Sequence, residues 1–538
     1  MPFIRIERKK SGSYIRLLES YRNEEGKSTN RILYSLGKLE DYTPEQLRRI
    51  GIKLYELGGG EIKALLQGEI KELSRCNYGY FQVIKKGLQH FGLERLIQRI
   101  SRKHKLEFNL LDSLVLMMVE RIHDPSSKRS NYLNQEDYLG LEAVSLHHLY
   151  RALDRLAENS LIIQKEIFQT GRDLFNQKLD LVFYDVTTLY FESEVVKEGS
   201  LRQKGFGKDG KLGKTQVLFC MLIDQDKNPI GYRLFKGNTY EGHTFEKALE
   251  DLKQQYQIDK VIVVADRGML SEKNLNHIES HGYEFILGER LKSLPREIKE
   301  TMIDKTAFRQ EWIYKDNQDK EIKIQYQALE YGNRTILCTY SEKRARKDKS
   351  ERDQKIEKAK RILLQPSQLK KKAQHYFLKS IGKEKYILDE DKIKESEKYD
   401  GFLAISTNNA TLKHTQILDQ YKQLYKIEHT FRTFKNHLEV RPMFHWTDKR
   451  IEGHICLCYI TYAILNFVLK KINTEIIQIS EMDLRRQLDK MQISLVQHND
   501  ELIYIRSTQQ KNEAQIQQKL ALKELPPFLP QSDIKKYL

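Results

Sequence analysis

The stretch Leu181-Val182-Phe183-Tyr184-Asp185-Val186-Thr187-Thr188-Leu189-Tyr190-Phe191 decides the fold. It is rich in β-branched and aromatic residues, and its apolar positions do not alternate strictly with polar ones. Such a run suits a strand covered on both faces. Residues 216–223 and 230–235 read as two further strands. Asp226-Lys227-Asn228-Pro229 between them has turn chemistry, so the two form a hairpin. A helix over 245–256, a strand over 260–265, a helix near 271–280 and a strand over 283–287 follow. The order is β-β-β-α-β-α-β, a mixed α/β core.

On either side the texture differs. Residues 1 to about 75 alternate strand-like runs, such as Tyr14-Ile15-Arg16-Leu17-Leu18, with turns. Residues 80–178 read as helical: Leu110, Leu111, Leu114, Met117, Met118 and Ile122 follow the i, i+3, i+4, i+7 rule, and Asp124-Pro125 stops that helix. Past 290 come short strands over 308–314, 322–329 and 335–340, then a charged helix opened by Lys343-Arg344-Ala345-Arg346-Lys347. Asp400-Gly401-Phe402-Leu403-Ala404-Ile405-Ser406 returns as a strand, a long helix spans about 415–437, and a helical region closes the chain.

The chain has 538 residues, with Lys+Arg 92 against Asp+Glu 75, a net charge of +17. That excess points to a polyanionic partner, nucleic acid ahead of an anionic membrane. Pro 10 and Gly 28 exclude collagen-like and linker-dominated designs. Cys76, Cys220, Cys338, Cys456 and Cys458 form no paired C-x-x-C and fit a reducing, cytoplasmic compartment. The N-terminus lacks an apolar signal core. The longest apolar run, 455–469, is 15 residues long where a membrane span needs about 20, so it reads as a buried helix. The adjacent His147-His148 lack a ligand partner at metal spacing, and the glycine-rich segment 205–210 follows no phosphate-loop pattern.

Three carboxylates stand out. Asp185 sits inside an apolar strand, where a charge is costly unless paired or metal-bound. Asp266 ends a strand, a common ligand position in open α/β sheets. Glu428 lies between Tyr421 and Lys435 at seven-residue spacing, which puts all three on one helical stripe at about 10.5 Å intervals. Read singly, each has an ordinary structural explanation: a hydroxyl-satisfied carboxylate, a turn or cap, a solvated charge stripe. Together they could hold two divalent ions for in-line phosphoryl displacement, and hard oxygen ligands suit Mg²⁺.

These residues and their order resemble the bacterial insertion-sequence transposases of the DDE type, closest to the insertion-sequence-four-like group and its sixteen-thirty-four branch. That group's helix signature is Y-x2-R-x3-E-x6-K. Tyr421, Glu428 and Lys435 match it, and Leu424 stands where Arg is expected. Asp185 in Tyr-Asp-Val-Thr-Thr and Asp266 in Val-Ala-Asp-Arg-Gly-Met match the first two acidic motifs. Asp400-Gly401-Phe402 with Thr407-Asn408 matches the strand before the Glu helix. Arg121 to Lys128 resembles the branch's N-terminal segment, and Arg441-Pro442-Met443-Phe444-His445 the segment after the helix.

The resemblance implies an RNase H-like (retroviral-integrase-like) catalytic core with a β-rich insertion. It also implies an α/β-plus-helical DNA-binding region before the core and a helical region after it. The expected divisions are a small β-containing domain 1–75, a helical DNA-binding region 76–178, core 179–289, insertion 290–398, core 399–445 and C-terminal region 446–538. The implied enzyme is a cut-and-paste DNA transposase. Asp185, Asp266 and Glu428 would be catalytic and hold two Mg²⁺ ions, with Mn²⁺ as a substitute, and the three should meet in space. The partners implied are double-stranded DNA of the element ends and of the target, and a second copy of the chain as a homodimer, in the nucleoid and without a membrane. Tyr421, Arg432, Lys435 and Arg267 are assigned to DNA, with Arg432 filling in for the missing arginine. Trp312, in the insertion, would stack on an unpaired base or else fill the core of a small sheet. The alternatives are a non-catalytic DNA-binding descendant and a metal-dependent nuclease without strand transfer.

Overall fold

The computed structural model describes residues 2–23, 26–58, 70–170, 181–192, 194–196, 198–205, 214–316, 319–364, 376–382, 385–474, 478–498 and 501–538. Most of the glycine-rich segment 205–210 and Lys370-Lys371-Lys372 lie outside the described residues. The chain divides into a smaller unit, Met1–Arg75 with Ser494–Ile505 and Pro527–Ile534, and a larger one holding the rest.

In the smaller unit, strands Pro2–Lys9, Gly12–Arg22 and Ser28–Lys38 form an antiparallel sheet. Helix Pro44–Leu57 follows, its first turn closed by a reciprocal cap between Thr43 and Gln46, with proline at the first helical position. A four-stranded sheet has the order Phe528–Pro530, Glu501–Arg506, Gln492–His498, Ile70–Asn77. The region 446–538, expected to be helical, thus supplies three of these four strands; a short apolar run such as Leu502-Ile503-Tyr504-Ile505 cannot be told from buried helix by periodicity alone.

The larger unit begins with helices Gly79–His90, Leu93–Lys103, Leu110–His123, Lys128–Leu133, Leu146–Glu158 and Ser160–Thr170. They gather around helix Asp448–Ile472, which contains the long apolar run. By length and composition alone that helix could cross a membrane, but it is mostly buried by protein, with Ile455, Cys456, Leu457, Cys458 and Tyr459 all at 0% exposure. Its backbone runs close to Leu146–Glu158 at Gly453, where a Cβ would stand 2.0 Å from the Leu153 carbonyl oxygen.

The core sheet carries the expected elements. Strand Leu181–Tyr190 lies at its centre, antiparallel to Thr215–Asp224, which pairs in turn with Pro229–Lys236. On its other side it is parallel to Ile262–Ala265, and that strand is parallel to Glu284–Gly288. With the five strands numbered in chain order, the lateral order is 3-2-1-4-5 with strands 1, 4 and 5 parallel. That is the RNase H-like topology. The Asp226 turn is closed by the Asp224 carboxylate, which accepts from the amides of Asp226 and Asn228 at 2.8 Å each.

The insertion is built onto this sheet. Strand Phe402–Thr407 pairs antiparallel with Glu284–Gly288 and, along its other edge, with Arg334–Tyr340. Glu321–Tyr331 and Gln310–Lys315 continue outward from there. The strands expected as a small separate sheet therefore extend the core sheet. Helix Glu342–Leu364 is anchored by Arg352, whose guanidinium meets Asp400 at the entry to the returning strand.

Candidate active site

The register of the core sheet brings the first two acidic residues together. Tyr184 is paired with Ala265, the last residue of its strand, so Asp185 and Asp266 come next on adjacent parallel strands. Face follows from period-two alternation. Val182, Tyr184 and Val186 belong to the apolar cluster around Phe245 and Leu249, as do Val263 and Ala265. Asp185 and Asp266 therefore belong to the opposite face. That face is covered by helix Tyr425–Arg432, whose Phe431 ring meets Phe219 at 5.9 Å, with Phe434 just beyond at 5.2 Å.

Each aspartate is held by a neighbouring amide. The Val186 N–H donates to Asp185 Oδ1 at 2.7 Å. The Gly268 N–H donates to Asp266 Oδ1 at 2.8 Å. A Cβ on residue 268 would stand 2.8 Å from that same oxygen, so the glycine is what lets the turn fold back on the carboxylate.

The long helix expected over 415–437 is divided. His414–Lys422 and Tyr425–Arg432 meet at a tightened turn, where Lys426 and Ile427 donate to carbonyls three residues back, Gln423 and Leu424. Thr433–His437 then widens into a π-turn. Both irregularities shift the phase of a 3.6-residue helix, so Tyr421, Glu428 and Lys435 do not keep the single straight stripe.

Tyr421 reaches over Gly288, whose missing Cβ would stand 2.5 Å from its hydroxyl oxygen. Burial, and then the charge of Asp266, pushes its phenol up to about 12, with Glu428 adding in the same sense. Asp266, Arg267, Tyr421, Leu424 and Glu428 line one open cleft of about 1200 Å³. Glu428 is exposed on its wall. Arg432 is also exposed and pairs with neither Glu428 nor Glu439 among the described residues, while Lys435 is half-buried. Trp312 borders the cleft but is 6% exposed, donates its indole N–H to Asp419 Oδ1 at 2.8 Å and packs on Tyr314 at 4.6 Å. It is a packed tryptophan joining strand Gln310–Lys315 to helix His414–Lys422, not an exposed stacking platform.

Among the described residues no three His, Cys, Asp or Glu side chains stand close enough together to hold a metal ion. The expected assembled cluster is therefore not formed. Glu428 lies on the cleft wall, with Asp266 lining the same cleft.

The sequence reading missed two groups at the cleft. Glu289 is 7% exposed, stands 3.2 Å from Arg334, and is pushed upward in pKa by burial. It follows directly on an apolar strand, as Asp266 does, and that was its only signal. Arg344 and Lys347, from a run with the composition of a solvated helix face, also line the cleft.

Residues 176–464, more than half of the chain, match the family described as Transposase DDE domain. Residues 4–68 match the IS1634 family transposase, N-terminal domain. No curated protein matches the chain. Among solved structures it is similar to a piggyBac transposase synaptic complex with hairpin DNA, at 12% identity over 76% of this chain and 78% of that one, with a TM-score of 0.37. It is more distantly similar to a Mos1 transposase paired-end complex and a Mos1 strand transfer complex, each at 16% identity over 34% of this chain and 59% of that one, TM-score 0.15. The DDE-domain match over more than half of the chain, with the IS1634 N-terminal match ahead of it, places the chain among the insertion-sequence DDE transposases of the IS1634 family, which use divalent metal ions to carry out cut-and-paste DNA transposition.

Proposed function

We propose that Asp185, Asp266 and Glu428 are the catalytic carboxylates and that together they hold two Mg²⁺ ions, with Mn²⁺ able to substitute. The observation that carries this is the register: two aspartates at neighbouring positions of parallel strands, under the helix that bears the glutamate. The donor set fits, because it is all carboxylate oxygen and Mg²⁺ prefers hard oxygen ligands. When bound, the ions supply Lewis-acid activation of water and of a 3′-hydroxyl at the scissile phosphate.

The chain's own residues do the rest. The amides of Val186 and Gly268 orient the two aspartates. Tyr421 stays protonated at neutral pH, since its pKa is held near 12, and offers its hydroxyl beside Asp266 as a donor to a phosphate oxygen. Arg432, Lys435 and Arg267 are assigned to the DNA backbone near the cut, Arg432 replacing the arginine absent at Leu424; its planar fork suits bidentate phosphate contact. The substrates are the ends of the chain's own element and a target duplex, and a homodimer in the nucleoid handles both ends at once.

The test is cleavage of a duplex carrying the element end, with Mg²⁺, by the native chain and by Asp266→Asn. Cleavage freeing a 3′-hydroxyl, lost in the variant while end binding persists, is expected. Equal cleavage by both removes Asp266 from the site.

A further inference from the structure

Between the segment Arg121 to Lys128 and the segment Arg441 to His454 lies a cavity of about 430 Å³ that shares no lining residue with the cleft of Asp266 and Glu428. Arg121, Lys128, Arg441, His445, Arg450 and His454 line it, against a single lining carboxylate, Glu439. Lys128 is 4% exposed, hydrogen-bonds only to Asn131 Oδ1 at 3.2 Å, and has no carboxylate in ion-pair reach among the described residues. The nearby Glu120 carboxylate accepts instead from Ser126, Asn131 and Tyr138. Arg121 is 5% exposed. Its terminal nitrogens donate to the backbone carbonyls of Leu438 and Ser126, and its Nε has no partner. His454, also 5% exposed, leaves Nδ1 without a partner and lies against the His445 ring, 4.9 Å between centroids.

These groups strain against one another. Burial, then Arg121, pulls the Lys128 ammonium down to about 7. Burial, then Lys128, Arg121 and Arg450, pulls His445 down to about 3. Arg450 is paired with Asp154 at 3.6 Å, whereas Arg121 and Lys128 are buried cations whose hydrogen bonds go to neutral oxygens; such cations are costly unless an anion completes them. At the mouth, Phe444 and Trp446 are 70% and 64% exposed.

We propose that this cavity is a second, non-catalytic anion site that takes a phosphate group, with Arg121 Nε and His454 Nδ1, which have no partner, and Lys128 Nζ, which has only Asn131, closing on the phosphate oxygens. In a chain that works on DNA, a backbone phosphodiester is the favoured source, and a free phosphate is the other.

The experiment uses the full chain. Inorganic phosphate, titrated against chloride at matched ionic strength, raises the Tm of the native chain and does so far less for Lys128→Met. Phe444→Glu, on an exposed side chain, puts a carboxylate at the mouth and keeps the test open if the buried variant does not fold; it also blunts the response. DNA distinguishes the sources. For a backbone phosphate, both variants weaken duplex binding roughly tenfold, and the slope of log affinity against log salt falls by about 0.9 for one lost phosphate contact. For a free phosphate, the Tm response is lost and duplex binding is unchanged. A phosphate response that survives both substitutions, or no response together with unaltered DNA binding, overturns the site.

Discussion

Asp185 and Asp266 each follow directly on one register pair, Tyr184 opposite Ala265, of two adjacent parallel strands. Parallel pairing fixes this, because both strands run in the same direction and the register sets Tyr184 opposite Ala265, although the first strand continues to Tyr190 while the second ends at Ala265. Asp185→Asn and Asp266→Asn should therefore each lower cleavage of element ends by at least the ~10- to 100-fold seen when a partner of a metal ligand is lost, since here the proposed ligand itself is replaced, and leave end binding within a few-fold. Gel-based cleavage and mobility-shift assays on the same preparations check it. Wild-type cleavage in either variant removes that residue from the site.

Arg432 is exposed one turn beyond Glu428 and is not engaged by either neighbouring glutamate among the described residues. A charge-assisted contact to phosphate contributes about 1.5–3 kcal/mol. Arg432→Ala should thus slow cleavage of bound ends by roughly 10- to 100-fold, and Arg432→Lys should restore only part of it. If Arg432→Ala cleaves normally and Leu424→Arg raises activity, the site lacks a substitute arginine.

Trp312 is a stability residue on this structure. Trp312→Phe keeps most of the ring but removes the donor to Asp419, costing about 1–3 kcal/mol in unfolding free energy. Denaturant titration reads this directly. Unchanged stability with selectively weakened binding of single-stranded ends would restore the stacking role instead.

Gly453 tests the helical framework. An alanine there places its Cβ against the Leu153 carbonyl, so Gly453→Ala should force helices Leu146–Glu158 and Asp448–Ile472 apart and cost about 1–3 kcal/mol or more. A thermal melt of the variant indistinguishable from wild type would show that the helices do not approach so closely.

Acid sensitivity follows from His445 and His454. Their folded pKa values are depressed, to about 3 for His445, from an ordinary 6.5. Between those values the unfolded chain binds more protons, so stability is full above about pH 6.5 and falls as pH drops toward 3. Replacing both with Gln should flatten that part of the stability–pH curve. An unchanged curve would mean that other groups govern acid unfolding.

The core was legible because two-sided burial leaves a continuous apolar strand, as in 181–191, with a carboxylate conspicuous within it. What stayed hidden was non-local or depended on phase. The insertion strands join the core through Phe402–Thr407, a lateral pairing that no local period records. The turn at Gln423–Leu424 tightens a helix whose sequence reads as continuous, and so alters which side chains share Glu428's face. For Trp312 the sequence left stacking and core packing both open, because Asp419, its partner, lies 107 residues away. The resemblance implied that the three carboxylates meet, but spacing fixes elements and not the approach of Glu428 to the sheet, and no such cluster forms among the described residues.

The most direct measurement is strand transfer. A duplex element end with a free 3′-hydroxyl is incubated with target DNA and Mg²⁺, with the native chain or with Glu428→Gln. The account predicts covalently joined product with the native chain and loss of joining with Glu428→Gln, although the variant still binds the end. Nicked target without joined product would make the chain a nuclease, and equal joining by Glu428→Gln would contradict the assignment of the three carboxylates.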